Sequence, residues 1–556
     1  MRCLSWLSMV AALLVAPAPR LSAAEPASPV ALELVVCSRE TLERWRFEIE
    51  IDGQSQVDRW GLAMTRLFDF VDRDGDGALD RTEAARLPHP HSLRQTLWSR
   101  FVAQAASPAW EKFDADEDGR IDRREMSRGY ERLGLSGVVV AVGSPPETER
   151  LTAALLEQLQ LAPGQLLDEH SWSAAAERLL TLDRNGDELI SPGELLPHAR
   201  YPGASATALL TPPREVESSS EAAARTYAAA SVTSTAETDP LPLVLLPRDA
   251  RDIAWCGELM RRLDRNGDEQ LARDEIPLAA RRFRQFQQLD RDGDRRLAAD
   301  ELAAWRDFPA DTRWILRVGN RDEKAFEIEQ EIAREDTRVD ARHGFTRLAP
   351  LWMRVQIGDS ALSADWRRGR GQLLEQFAEV AEEGAVATEQ LAAHPKLTDL
   401  KTLHSIADRD GDRRLAREEL VAWLDALDHV ITAQTLFSLL DHRRGLFELL
   451  DADYNGGLSA AELRCSWRRI ESAGCVVDGR IRQNRLPRQL RSTVSRGLPF
   501  NHLASAVQTG PAWFRAMDRN GDGRLSASEF LGPRPTFARF DHDGDNVISP
   551  LEAGGD

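Results

Sequence analysis

The chain runs to 556 residues, too many for one hydrophobic core, so several domains are expected. Its 90 acidic side chains outnumber 71 basic ones, giving a formal charge of −19, which argues against nucleic acid or an anionic membrane surface as the main partner. Beyond the N-terminus no segment reaches the ~18 consecutive apolar residues of a transmembrane helix, so no membrane span is expected.

Taken in order, Met1-Arg2-Cys3 precedes an apolar run from Leu4 to Val15 and then Ser22-Ala23-Ala24. A positive, an apolar and a small-residue region in that order read as a signal peptide over 1–24, cut near Ala24, and so as a secreted or periplasmic protein. Cys37, Cys256, Cys465 and Cys475 then remain. In an oxidising compartment Cys465 and Cys475 are the nearest candidates for a disulfide, with buried free thiols as the alternative. From Trp45 to Ile51 apolar and charged residues alternate up to Asp52-Gly53, which predicts a strand and turn in an N-terminal β segment over 25–60.

From Asp72 onward one twelve-residue pattern recurs nine times. In the first, Asp72, Asp74, Asp76, Asp80 and Glu83 put carboxylates at positions 1, 3, 5, 9 and 12, with Gly77 at position 6, Ala78 at 7 and Leu79 at 8. The second has Asp114, Asp116, Asp118, Arg120, Asp122 and Glu125; the third has Asp183, Asn185, Asp187 and Glu194. The fourth has Asp264, Asn266, Asp268 and Glu275, the fifth Asp290, Asp292, Asp294 and Glu301, and the sixth Asp408, Asp410, Asp412 and Glu419. The seventh has Asp451, Asp453, Asn455, Gly457, Ser459 and Glu462, and the eighth Asp518, Asn520, Asp522, Arg524, Ser526 and Glu529. The ninth has Asp541, Asp543, Asp545, Val547, Ser549 and Glu552. All nine keep Leu or Ile at position 8, where a short β-bridge is expected to pair two loops.

The chemistry of that spacing is oxygen ligation of a hard cation. A tightly curled loop turns alternate side chains inward, position 7 (Ala78, Arg120, Gly457, Arg524 and Val547 among them) lends its carbonyl, and the position-12 Glu closes the shell with both oxygens. Over a third of the acids occupy these positions, so the acidity belongs to the motif. The pattern resembles the calcium loops of the EF-hand superfamily, and the chain as a whole is similar to secreted bacterial proteins built from many such repeats. The resemblance implies helix-loop-helix pairs with Ca²⁺ as the cofactor. Extracellular-type modules of this kind bind at ~10⁻⁴–10⁻³ M, where the ion is chiefly structural.

Apolar pairs four and one residues before a loop lie on one face of the entering helix. They recur as Phe68 and Val71, Trp110 and Phe113, Leu179 and Leu182, Met260 and Leu263, Phe286 and Leu289, Phe447 and Leu450, Phe514 and Met517, and Phe537 and Phe540. Only the sixth breaks the rule, with His404 and Ala407. The expected fold is mainly α: an array of EF-hand pairs with small interspersed antiparallel β modules, α+β overall. Its order is an EF-hand region over 61–200, a Ser/Ala-rich flexible linker over 201–240, an EF-hand pair over 241–310 and a β module over 311–360. A pair of the sixth with the seventh loop over 361–480 and a C-terminal pair over 481–556 complete it.

Only the first, second, seventh and eighth loops have Gly at position 6. Glu188, Glu269, Arg295, Arg413 and Asn546 stand there in the others, at a cost of about 1–2 kcal/mol each if the backbone is left-handed. Gly at position 4 is read as easing that turn one step earlier. Arg295 with Arg296, and Arg413 with Arg414, put cations beside a dication, which ranks the fifth and sixth sites weakest.

There is no phosphate loop, no His-Glu-x-x-His and no Gly-x-Ser-x-Gly, so no enzyme is expected. His89 and His91 flank Pro90 and read as surface residues. The function expected is calcium binding by a calcium-stabilised scaffold whose partner is another envelope or extracellular protein. The alternatives are a calcium sensor that exposes an apolar groove and, less favoured, an enzyme with a dispersed carboxylate site in the β modules.

Overall fold

A computed structural model describes residues 30–38, 40–98, 110–159, 169–199, 241–248, 251–277, 282–319, 326–330, 337–339, 343–348, 351–360, 362–393, 398–499, 510–519, 524–542, 547–550 and 552–554. The expected signal peptide and the linker over 201–240 lie outside the described residues.

Strands β1 (Leu32–Cys37) and β2 (Leu42–Ile51) form an antiparallel hairpin, as the alternation around Trp45 predicts. Trp45, Phe47, Ile49 and Ile51 are buried together, while the intervening Arg46 and Glu48 pair with Glu33 at 3.2 Å and Arg313 at 2.9 Å. The remaining sheet strands are β3 (Val138–Gly143), β4 (Leu243–Leu246), β5 (Thr312–Val318), β6 (Phe326–Gln330), β7 (Arg338–Val339), β8 (His343–Leu348), β9 (Leu351–Ile357), β10 (Thr435–Asp441) and β11 (Arg488–Ser495). They build two six-stranded sheets. The first runs β6-β5-β2-β1-β4, with Gln54–Ser55 added at β2, and the second β7-β8-β9-β11-β10-β3. One core joins the sheets: Phe47 stacks on Trp314 at 5.7 Å and meets Phe437 of the second sheet edge-on at 5.2 Å, with Met353, Val355, Leu439 and Val494 around them.

The expected small antiparallel modules are therefore corrected to two large mixed sheets. Strand β5 joins β2 in parallel, β9 joins β11 in parallel, and β3 joins β10 in parallel. The segment 311–360 is split between the sheets. The physical reason is that β10 and β11 are buried at every residue, so each needs partners on both edges that a local hairpin cannot supply. Parallel neighbours require long crossovers, and the helical segments between the strands serve as those crossovers.

Helices pack around the sheets in lobes, each with its own apolar cluster. Helix Gln56–Val71 lies against helix Arg417–Ala433 through Phe70 and Trp423 at 5.2 Å, in a cluster that also holds Leu79, Ile121 and Leu415. A second cluster holds Ile190 and Leu458, a third Leu271 and Leu297, and a fourth Leu525 and Ile548. Position 8 is at most 2% exposed in all nine loops, which is why each finds a β-bridge partner.

Three pairs of consecutive loops form, Leu79 with Ile121, Leu271 with Leu297, and Leu525 with Ile548, the last two as expected. The pairing of the sixth with the seventh loop does not. Leu458 of the seventh pairs with Ile190 of the third, and Leu415 of the sixth with Val386 of a short hairpin at Ala385–Ala387. Strand β10 lies between the sixth and seventh loops and crosses the second sheet, so the chain delivers them to different lobes. The expected Cys465–Cys475 disulfide is also absent, all four described cysteines being free: Cys465 faces solvent on helix Ala460–Ser472 and Cys475 is buried beyond its end.

Candidate metal centres

The first seven loops share one hydrogen-bond scheme, seen in full at the first. Asp72 accepts N–H bonds from Gly75 at 2.8 Å and Gly77 at 3.1 Å, Asp74 accepts from Asp76 at 3.0 Å, and Asp76 accepts from Ala78 at 2.9 Å. Glu83 at position 12 spans the loop, accepting from Arg73 at 2.7 Å and from Asp80 at 3.0 Å. Asp80 in return accepts from Glu83 N–H at 2.8 Å, a capping box that starts the exiting helix where the loop closes. The same span of position 12 recurs at Glu125, Glu275, Glu301, Glu419 and Glu462. Glu194 repeats it in the third loop, accepting from Arg184 at 2.8 Å and Ser191 at 2.9 Å.

The scheme requires a left-handed backbone at two places. In each of the first seven loops both position 4 and position 6 have φ between +60° and +88°. Glu188, Glu269, Arg295 and Arg413 at position 6 hold φ of 64°, 62°, 67° and 66°. This corrects the expectation that Gly at position 4 relieves the turn at position 6: the two glycines answer separate needs, and each non-Gly residue carries its own strain.

In five of the loops the fold brings three of the candidate ligands together. One carboxylate oxygen from each of Asp72, Asp74 and Asp76 lies within 4.8 Å of the others, as do those of Asp114, Asp116 and Glu125, and of Asp264, Asp268 and Glu275. Asp290, Asp292 and Asp294 form a similar group, and so do Asp408, Asp410 and Glu419. In the third and seventh loops an amide shares the space: Asn185 donates to Asp187 at 2.8 Å and Asn455 to Asp453 at 3.0 Å. In the last two loops Asp518, Arg524, Ser526, Glu529, Asp541, Val547, Ser549 and Glu552 are described, and Glu529 and Glu552 repeat the position-12 bonds. Asn520, Asp522, Asp543 and Asp545 lie outside the described residues.

One loop escaped the sequence pattern. The hairpin that pairs with the sixth loop begins at Ala381, after Phe377 and Val380 in the helix-face positions, and ends with Gln390, whose Oε1 accepts from Ala387 N–H at 2.7 Å as a position-12 Glu would. It is two residues shorter than the others and has Ala at its first position, so it closes without a ligand set. His404, the one break in the entering-helix rule, sits 3.1 Å from the Val386 carbonyl of this hairpin. That histidine was the available signal.

Neighbouring loops also touch. Arg120 at position 7 of the second loop pairs with Asp76 at position 5 of the first, and Arg296 at position 7 of the fifth pairs with Asp268 at position 5 of the fourth. The charge of Arg296 is thus directed at its neighbour's ligand. The first and sixth loops clamp each other: Arg86 donates to the Asp408 carbonyl at 2.9 Å, and Arg409 to those of Asp69 and Asp72 at 3.3 and 3.4 Å.

The seventh site differs electrostatically from the others. Burial, then Glu462 and Asp451, push the Asp453 carboxyl up to about 8, and burial with Asp451 pushes Glu462 up to about 7. At Glu194, by contrast, burial raises the carboxyl but the N–H groups of Ser191 and Arg184 outweigh it and leave it lowered. Two buried oxygens, Oδ1 of Asp114 and Oδ1 of Asp451, have no hydrogen-bond partner among the described residues, and both belong to position 1, where a cation would be bound. Residues and orphaned oxygens together fit a hard divalent ion, which would supply the positive charge these sets lack.

The EF-hand family model matches residues 65–86, 111–129 and 512–531, the segments of the first, second and eighth loops. No curated protein and no solved structure matches the chain. The three matches identify EF-hand segments in this chain and imply calcium as their ligand.

Proposed function

We propose that this is an exported calcium-binding protein in which ions at the loops fasten helical lobes onto paired β-sheets, making a calcium-stabilised scaffold whose partner is another envelope or extracellular protein. The observation that carries the reading is the pairing of the third loop with the seventh. An ion in either loop braces segments far apart in the chain, so calcium acts on tertiary structure as well as on a local turn. The entering-helix residues Phe68, Phe447 and Leu450 are at most 1% exposed, which favours bracing over an open groove. The order of Met1-Arg2, Leu4 to Val15 and Ser22-Ala23-Ala24 supports export.

The test is a calorimetric titration of the chelator-stripped mature protein with Ca²⁺, with circular dichroism in parallel. Four or more sites should fill as thermal stability rises. A hydrophobic dye should lose fluorescence on adding calcium; a gain would favour the sensor. No heat and no stabilisation at millimolar calcium would refute calcium binding altogether.

A further inference from the structure

The seventh loop is built into the second sheet by contacts that the first six loops lack among the described residues. Asp451, its position-1 carboxylate, is 0% exposed. Its Oδ2 accepts from Gly456 N–H at 3.2 Å and from Nη2 of Arg491 on β11, also at 3.2 Å, while its Oδ1 has no hydrogen-bond partner among the described residues. Among those residues Asp72, Asp114, Asp183, Asp264, Asp290 and Asp408 make no such ion pair at position 1.

Position 4 is equally unusual. Most other described loops place Gly there, whereas the seventh holds Tyr454 at φ 65°, 6% exposed. Its ring lies 4.6 Å from the Arg491 guanidinium and 4.3 Å from that of Arg354. Arg354 and Arg491 are direct register partners across β9 and β11, so the two arginines form one platform on which the loop rests. A bulky residue in a left-handed conformation persists when its surroundings hold it there.

Resting on the calcium reading above, we propose that Arg491 is the resident counter-ion of the seventh loop: it keeps the loop folded without calcium and lowers the loop's affinity for it. Arg491 takes Oδ2 of Asp451, while Oδ1 keeps no hydrogen-bond partner among the described residues and would be open to a cation. A fixed positive charge beside the ligand set compensates buried carboxylates in the ion-free protein and repels an incoming dication. The seventh site, one of the best by its sequence, becomes one of the last to fill.

The experiment compares the unaltered protein with Arg491→Met, Arg491→Lys and Glu462→Gln, by calcium calorimetry and by thermal unfolding in chelator and in calcium. Glu462→Gln should remove one site from the titration and so mark the seventh. Arg491→Met should tighten that site about tenfold or more and lower the midpoint in chelator, so that calcium produces a larger stabilisation than in the unaltered protein. Arg491→Lys should stay near the parent. If Arg491→Met is unfolded in chelator, recovery of its fold in calcium supports the proposal and failure to recover overturns it. Unchanged or weaker binding at the marked site also overturns it, while the calcium reading survives. Absence of binding in the unaltered protein overturns both.

Discussion

The pairing of the third and seventh loops can be decided by a double-mutant cycle. Ile190 and Leu458 are both 0% exposed and are cross-strand partners, whereas Leu415 of the sixth loop is buried against Val386 in another lobe. Leu458→Ala cuts a fully buried isobutyl side chain back to methyl and should cost about 2–5 kcal/mol; Ile190→Val should cost about 0.5–1.5 kcal/mol. Residues in contact couple by about 0.5–3 kcal/mol, while distant ones add to within about 0.5 kcal/mol. Urea unfolding in saturating calcium of Leu458→Ala, Ile190→Val, Leu415→Val and the two double variants therefore separates the topologies. The cycle should show coupling between Leu458 and Ile190 and additivity between Leu458 and Leu415. Coupling of Leu458 to Leu415 with none to Ile190 would refute the lobe assignment and restore pairing in chain order.

Other outcomes follow from single contacts. Arg120→Ala frees Asp76 of the first loop, and because the ion pair is exposed the gain in calcium affinity should be a few-fold at most and vanish at high salt; a loss of affinity would refute a competing role. His442 is fully buried beside Glu448, and burial lowers its pKa, so the unfolded chain takes up a proton near its ordinary value of ~6.5 that the folded protein refuses. Its contribution to stability is present above that pH and is lost as pH falls below it, by up to ~1.4 kcal/mol per unit; His442→Gln should flatten that part of the stability profile measured in saturating calcium. Burial pushes the Cys37 and Cys475 thiols up to about 11 and Cys256 up to about 12, whereas Cys465 is exposed. Of these four, only Cys465 should react quickly with a thiol reagent in the native protein, and all four after unfolding.

The candidate ligands were legible because a calcium loop is a local object: its oxygens, its two left-handed turns and its position-12 span lie within twelve consecutive residues. The local signals extended to the entering helices and to one misfit, His404, whose meaning appeared only when the structure placed it against a hairpin without a ligand set. Strand β2 was legible for the same reason, since alternation over Trp45 to Ile51 reports one buried face. Strand β11 was not, because Arg488, Gln489, Arg491 and Ser492 carry no apolar period yet are all at most 5% exposed. Their burial comes from ion pairs and neighbours brought from elsewhere, such as Arg488 with Asp441 at 3.0 Å.

By itself the sequence determined what each loop can hold, because ligand type, spacing and the apolar residue at position 8 act over one turn of chain. Consecutive loops such as the fourth and fifth pair as their order suggests, but the partners of the third, sixth and seventh loops were decided by the tertiary structure alone. A leucine at position 8 fits any other position 8, so the choice falls to the strands between loops. Strand β10 crosses the second sheet between the sixth and seventh loops and separates them, and Arg491 reaches Asp451 only once β11 is in place.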